Sequence, residues 1–340
     1  MARRRGWRRL GSGGRFRYVN AGGKPIADPE ALERIEALRI PPAWRDVRIS
    51  PRPYAKLQAT GVDRAGRVQY LYHPEHRARQ EQAKFEKLIR FAERLPDLRA
   101  AMAEHMDQEP LTFEWAAAVA VRLINLGWFR VGDERYAKQF RTFGITTLRK
   151  SHVRVRGSRI TFRFRAKNRA LVRTALVDEE LADAMRELLA VKGGQRLFRY
   201  RNGDADTFCN LTGAGVNEYI REHMGEEFTA KDFRTWGGTL LAAIALAERG
   251  EAESETESKR TIAAVMRTVG ERLGNTPAVA RASYVSPAVI EQYLDGRTIE
   301  DFRPRHLRVV GARDVTLDPE EQALLSLLRS HRIRKARKAA

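Results

Sequence analysis

Two blocks of the sequence carry side chains whose types and spacing suit chemistry on an anionic phosphate. The first is Lys231-Asp-Phe-Arg234-Thr-Trp-Gly-Gly-Thr239, which opens an otherwise apolar helical run through Leu240, Leu241, Ile244 and Leu246. An arginine near a helix N-terminus adds a planar fork of donors to free backbone N–H groups, and both attract phosphate. The second block, Leu273-Gly-Asn275-Thr-Pro, reads as a helix end followed by a Pro-started helix, and it delivers Tyr284 nine positions after Asn275. Other chemistries are poorly served. The seven histidines are scattered; only His73 and His76 are spaced to share a helix face, and they read as surface residues. The single cysteine, Cys209, excludes an internal disulfide, a zinc ribbon and an iron–sulfur cluster. Gly11-Ser-Gly-Gly14 lacks both the Lys-Ser/Thr ending and the preceding strand of a nucleoside triphosphate loop.

These blocks need elements to position them. Residues 15–83 read as a small strand-rich module punctuated by Gly, Pro and Asp, with short alternating runs such as Val47-Arg48-Ile49 and Val68-Gln69-Tyr70-Leu71-Tyr72 and one helix over 29–38. A charged helical stretch over about 75–94 leads out of it, and the pattern is mainly helical from residue 84. Residues 113–127 are apolar almost all round, which predicts a buried helix. Over 152–165 the period switches to two: Val153, Val155, Ile160, Phe162 and Phe164 alternate with Arg154, Arg156, Thr161, Arg163 and Arg165 about Gly157-Ser158. That is a hairpin with one apolar and one basic face. Helices follow near 178–192, 213–223, 230–248, 258–272 and 318–335, and the acidic segment Glu251–Glu257 reads as a mobile loop. The fold class is α+β, with a β-rich N-terminal domain over 1–83 and a mainly helical domain over 84–340 that ends in a basic tail.

At 340 residues and 43% hydrophobic content the chain can bury a real core, which excludes a disordered polycation, yet its net charge is +20. Residues 1–27 hold eight bases and no acid, and residues 329–338 hold six more and no acid, so the two ends carry +14 of that excess. The N-terminus lacks the apolar core of a secretory signal, its scarcity of serine argues against a transit peptide, and no apolar run is long enough to span a membrane. A soluble cytoplasmic protein with a polyanionic partner is expected, the two ends acting as solubilising tails or as electrostatic arms on a phosphate backbone.

The blocks together resemble a known family, the poxvirus-type (bacterial and viral) type IB DNA topoisomerases, whose catalytic domain is shared with tyrosine recombinases. Lys231-Asp-Phe-Arg234-Thr-Trp is similar to the family's Lys-Asp-[Leu/Phe]-Arg-Thr-[Tyr/Trp] motif, and Leu273-Gly-Asn275 with Tyr284 to its nucleophile motif. Phe129-Arg130-Val-Gly resembles the segment of the first catalytic arginine, and Arg165-Ala-Lys167-Asn falls where the family places its catalytic lysine. Gln69-Tyr70-Leu-Tyr72 resembles an N-domain strand used on DNA. The matches occur in the family's order over about residues 15–295. Asn275 stands where much of the family has His; an Asn can donate a hydrogen bond to a phosphate oxygen but cannot transfer a proton.

The resemblance implies a C-shaped, monomeric, nucleoid-associated clamp on double-stranded DNA that uses no cofactor, metal or ATP. Its catalytic residues would be Arg130, Lys167, Arg234, Asn275 and Tyr284, with DNA contacts from Gln69, Tyr70, Tyr72 and Lys231. Tyr284 would attack the phosphodiester, Arg130 and Arg234 would hold the non-bridging oxygens, and Lys167 would protonate the departing oxygen. Two alternatives stand beside it. A tyrosine recombinase usually carries His-X-X-Arg where this chain has Lys231-Asp-Phe-Arg234, and a helical N-terminal domain where residues 15–83 read as strands. A non-enzymatic basic DNA- or RNA-binding protein would need the basic ends and hairpin but not Tyr284.

Overall fold

The computed structural model describes residues 6–12, 15–64, 66–203, 205–303 and 316–339. They form two compact units, divided between Lys84 and Phe85.

In the first unit, β1 (Trp7–Ser12), β2 (Arg15–Val19), β3 (Arg45–Ile49), β4 (Leu57–Val62) and β5 (Val68–Tyr72) make an antiparallel sheet in the order β2-β1-β3-β4-β5. Helix α1 (Pro29–Ala37) starts at the N-cap Asp28, whose carboxylate accepts from Glu30 N at 3.2 Å, and has Pro29 in its first turn. Its Ile35 joins Ile40, Val47, Ile49 and Ala59 in a small core. Burying each of its isoleucine and valine side chains contributes roughly 1.5–3 kcal/mol.

The basic N-terminal arm expected from sequence is, over its described part, built into the sheet, with β1 as an interior strand and β2 at the edge. β1 pairs with β2 (Arg8 opposite Val19) and with β3 (Trp7 opposite Ile49). Arg9 donates to the carbonyls of Ile40, Pro41 and Trp44 at 3.2, 3.1 and 2.7 Å and lies 4.1 Å over the Phe16 ring. Such a guanidinium serves the backbone of its own unit. Residues 1–5, 13 and 14 lie outside the described residues.

The boundary falls within α2 (Pro74–Met106), which continues well past residue 94 because Leu95, Leu98 and Met102 keep feeding one buried face across Pro96. The second unit then runs α3 (Phe113–Gly127), α4 (Glu134–Phe140), β6 (Val153–Arg156), β7 (Arg159–Arg165), β8 (Leu171–Val177), α5 (Glu179–Ala190), β9 (Arg199–Asn202), β10 (Ala205–Asn210), α6 (Gly213–Met224), α7 (Ala230–Ala247), α8 (Glu255–Leu273), α9 (Pro277–Ser283), α10 (Pro287–Leu294) and α11 (Pro319–Ala339). Helices α3 and α7 are buried along most of their length in its core. The expected two-stranded hairpin is a three-stranded sheet, β6-β7-β8, and a second hairpin, β9-β10, was not anticipated. Leu171–Val177 alternates weakly and leaves both Leu171 and Val177 exposed, so periodicity alone hid β8.

Two further expectations change. Only the first part of the acidic segment 251–257 is a loop: Ser254 caps α8, its Oγ accepting from Glu257 N at 3.2 Å, while the Glu257 carboxylate accepts from Glu253 N at 2.9 Å. A Ser-X-X-Glu box with acids in the first turn favours a helix start. The C-terminal helix, expected to about residue 335, runs through the whole basic tail to Ala339. In α11, Arg329 pairs with Glu93 at 2.7 Å, Arg334 with Asp295 at 2.9 Å, and Glu321 takes both Arg99 nitrogens at 2.8 Å together with Trp236 Nε1 at 3.1 Å. Among the described residues no helix is long and apolar enough to cross a membrane.

Candidate active site

Several amides at the start of helix α7 already have partners. Asp232 Oδ2 accepts from Thr229 N at 2.8 Å, Asn217 Oδ1 accepts from Ala230 N at 3.0 Å, and Asp232 also pairs with Lys87 at 2.9 Å. The Thr229 and Ala230 amides are therefore taken, and Arg234 adds a buried set of donors.

Arg234 is 5% exposed. Its Nη1 donates to Trp128 O at 2.5 Å and its Nη2 to Leu273 O at 2.6 Å. Those carbonyls lie at the C-terminal ends of α3 and α8, which Trp128 (φ 50°) and Gly274 (φ 60°) close in the left-handed conformation. Two negative helix ends thus hold the buried cation. Its Nε is buried without a partner among the described residues, and its guanidinium carbon lies 5.1 Å from the Tyr284 ring centroid.

Arg130 follows Phe129, whose ring is anchored 5.1 Å from that of Phe162 in β7. Its Nη2 donates to Gly274 O at 3.2 Å and to Asn275 Oδ1 at 2.9 Å. Asn275 is fixed in turn, its amide N donating to Gly270 O at 2.8 Å and its Nδ2 to Leu273 O at 3.2 Å. In this arrangement the side-chain oxygen of Asn275 orients Arg130, and one Nδ2 hydrogen remains for a further acceptor.

Tyr284 caps the end of α9, with its N donating to Ala280 O at 2.9 Å. Thr239, fully buried in α7, holds the chain on both sides of it: its Oγ1 accepts from Ser286 N at 3.1 Å and lies 3.1 Å from Tyr284 O. The close approach needs glycine at two positions. A Cβ on Gly238 would meet Tyr284 O at 2.7 Å and Tyr284 Cβ at 2.9 Å, and one on Gly237 would meet the Trp128 indole at 2.3 Å.

The electrostatics follow. Burial raises the Tyr284 phenol, but the charge and hydrogen bond of Arg234, with the charges of Arg130 and Lys231, outweigh it and leave the phenol below its ordinary value. Arg130 is lowered to about 10, first by burial and then by the charge of Arg234, and stays protonated at neutral pH. Burial likewise lowers Arg234, against the opposing pull of Tyr284.

The structure therefore brings Arg130, Arg234, Asn275 and Tyr284 together. Lys167 stands apart: it is exposed, at the start of a short 3₁₀ turn between β7 and β8 in which Asn168 (φ 62°) and Arg169 (φ 58°) are both left-handed. Its neighbours Ala166 and Ala170 line the same cavity of about 240 Å³ as Arg130, Arg234 and Gly274, while its ammonium bonds to none of the other four. Lys231 is exposed in the first turn of α7. In the first unit, Tyr70 and Tyr72 are 49% and 44% exposed on β5 with rings stacked at 6.3 Å, so packing does not claim them. Gln69 is half-buried and donates to Asp63 at 2.9 Å. Trp128, Gly237, Gly238 and Thr239 were missed as positioning residues. Their signal was Gly-Gly inside a helical run, which costs about 1 kcal/mol per glycine and needs a packing reason.

A β-sheet unit, a mainly helical unit, and a tyrosine beside a buried arginine and near a half-buried one define a class. The sequence matches the eukaryotic DNA topoisomerase I catalytic core over residues 73–302 and the bacterial DNA topoisomerase IB N-terminal domain over residues 15–63. The chain belongs to the type IB DNA topoisomerases, and it is an isomerase of that family. Among relatives, it is 32% identical over 288 residues to DNA topoisomerase 1B of Acanthamoeba polyphaga mimivirus, covering 83% of this chain and 85% of the relative. It is 21% identical over 277 residues to DNA topoisomerase 1B of Vaccinia virus (strain Copenhagen), covering 80% and 85% respectively.

Proposed function

We propose that the protein relaxes supercoiled duplex DNA by cutting one strand at a time through Tyr284. The Tyr284 oxygen attacks the scissile phosphorus. The Tyr–O–P bond forms and the bond to the 5′-oxygen breaks, giving a 3′-phosphotyrosyl ester and a free 5′-hydroxyl. The phenol proton leaves to solvent, and Lys167 supplies the proton that the departing 5′-oxygen takes up. Arg130 and Arg234 bind the non-bridging oxygens as charge gathers on them. The remaining Asn275 hydrogen contacts phosphate oxygen. The cut strand rotates, and the 5′-hydroxyl attacks the ester to reseal it, so bond energy is conserved and no ATP is required.

The observation that carries this reading is the unpaired, buried Arg234 Nε beside the Tyr284 ring. A buried donor without an acceptor costs about 1–3 kcal/mol, and a bound phosphate oxygen removes that cost. The two units would close as a monomeric clamp, with Gln69, Tyr70, Tyr72 and Lys231 on the duplex. The recombinase alternative loses support to the match of residues 15–63 with a topoisomerase N-terminal domain. The test is incubation with supercoiled plasmid in EDTA without ATP. Relaxation is expected, with a covalent protein–DNA adduct on denaturation, and both vanish in Tyr284→Phe while duplex binding persists. Binding with no relaxation by the unaltered protein would overturn the reading.

A further inference from the structure

The tryptophan that closes the Lys231-Asp-Phe-Arg234-Thr-Trp motif has no part in the chemistry above. Trp236 follows Arg234 by two positions, which sets it about 160° around α7 from that arginine, whereas Gly237 and Gly238 stand within about 60° of it. Helix α7 therefore has two faces. The front carries Arg234 and the two glycines against Trp128 and Tyr284. The back carries Phe233 and Trp236, whose rings lie 5.0 and 6.0 Å from that of Phe91 in α2. Trp236 is buried, and its Nε1 donates to Glu321 Oε1 at 3.1 Å.

Glu321 lies in the first turn of α11 and is 4% exposed. Its two oxygens take four donors. Oε1 accepts from Arg99 Nη2 at 2.8 Å as well as from Trp236, and Oε2 accepts from Arg99 Nη1 at 2.8 Å and from Asp318 N at 3.2 Å. Glu321 N donates in turn to Asp318 Oδ1 at 2.7 Å, and Leu324, Leu327 and Leu328 bury the same helix beyond it. Replacing a buried ion pair by an apolar contact of similar volume is often neutral for stability, so stability alone does not explain a carboxylate here. What the carboxylate adds is direction: with all its acceptor positions filled it stands in one place, and the indole N–H must point at it.

The front of α7 has no slack. A Cβ on Gly238 would come within 2.9 Å of Tyr284, so not even a methyl group fits between helix and tyrosine, and the helix can only move away. The back wall opposes that movement. We propose that Glu321 is a positioning residue for the cleavage reaction: through Trp236 Nε1 it fixes the depth of α7 and with it the placement of Arg234 beside Tyr284. The first turn of α11 is then part of the frame of the active site. The inference rests on the strand-cleavage reading.

The test follows covalent adduct formation on plasmid with protein in excess, together with duplex affinity and thermal melting, in full-length variants. Trp236→Phe keeps an aromatic ring but removes the N–H, and Glu321→Ala removes the acceptor. Both should form the adduct roughly 10²-fold more slowly with duplex affinity unchanged, as expected for a misplaced catalytic group. The midpoint of their pH profile should move upward, because Arg234 draws away from the phenol. Glu321→Gln loses the charge opposite Arg99 but restores an oxygen for Trp236 Nε1; it should melt at a lower temperature and yet recover most of the rate. The Trp236→Phe/Glu321→Ala double variant should be no slower than the slower single one, because both remove the same bond. Trp236→Phe cleaving at the unaltered rate would overturn the proposal, and it decides alone if Glu321→Ala does not fold. Glu321→Gln as slow as Glu321→Ala, or a fixed pH midpoint in the slow variants, would overturn it too. Failure of the unaltered protein to form any adduct would instead strike the cleavage reading.

Discussion

The two sides of the catalytic pocket are built to different standards. On the α7–α8–α9 side, Arg234 is tied to two helix-end carbonyls, Asn275 is bonded to Gly270 and Leu273 and holds Arg130, and Thr239 brackets Tyr284. On the β7–β8 side, the Lys167 side chain is exposed on a turn with two left-handed non-glycine residues, whose backbone is closed by Ala166 N to Ala170 O at 2.8 Å and Ala170 N to Lys167 O at 3.4 Å. The difference teaches where preorganisation is needed. Groups that must meet developing charge work best when already fixed. A proton donor needs to arrive only when a leaving oxygen is there, and a long, exposed side chain can deliver it.

The comparison breaks most directly on Arg234 and Lys167. Lys167→Ala should slow single-turnover cleavage by roughly 10²–10⁴-fold with an unchanged melting temperature. Arg234→Ala should cost about 10²–10³-fold and also destabilise the fold, by about 1–3 kcal/mol for each carbonyl left unpaired. Equal thermal shifts in the two variants, read by calorimetry, would erase the distinction.

Next in size is the fit of α7 against Tyr284. Gly238→Ala must displace the Tyr284 backbone, and a 1 Å misplacement lowers the cleavage rate by about 10²-fold with DNA affinity unchanged. Thr239→Ser should keep near-normal rates and Thr239→Val should not, because only the hydroxyl can accept from Ser286 N.

A smaller effect is read in pH. With the Tyr284 phenol held below its ordinary value, cleavage should rise with pH to a midpoint below that of a free tyrosine. In Arg234→Gln the dominant lowering influence is gone and burial remains, so the midpoint should move upward. A fixed midpoint would mean that the phenolate is not what the rate reports.

The smallest change is expected from Asn275→His, which keeps a donor toward phosphate but alters the acceptor for Arg130; it should retain most activity. Complete loss would show that orienting Arg130 is the main task of Asn275.

Much of the fold was legible in the residues. The buried α3, the Pro-started α9 and the alternation over β6 and β7 follow from local periodicity and capping. The strand β8 was not, because the exposed Leu171 and Val177 weaken its alternation. Nor was the Ser254 box, where a run of acids reads as loop until the serine three residues before Glu257 is noticed. The N-terminal bases misled in a different way. Composition reports that Arg8 and Arg9 are charged, but only strand pairing shows that their segment lies between β2 and β3.

By itself the sequence determined the identities and order of Arg130, Lys167, Arg234, Asn275 and Tyr284, because residue type and motif spacing are properties of the chain. Only the tertiary structure decided that four of them converge and that Arg234 is held by the ends of α3 and α8. Those facts depend on contacts between residues far apart in the chain, such as Arg234 with Trp128 and with Leu273 and Arg130 with Asn275, and no local pattern encodes them.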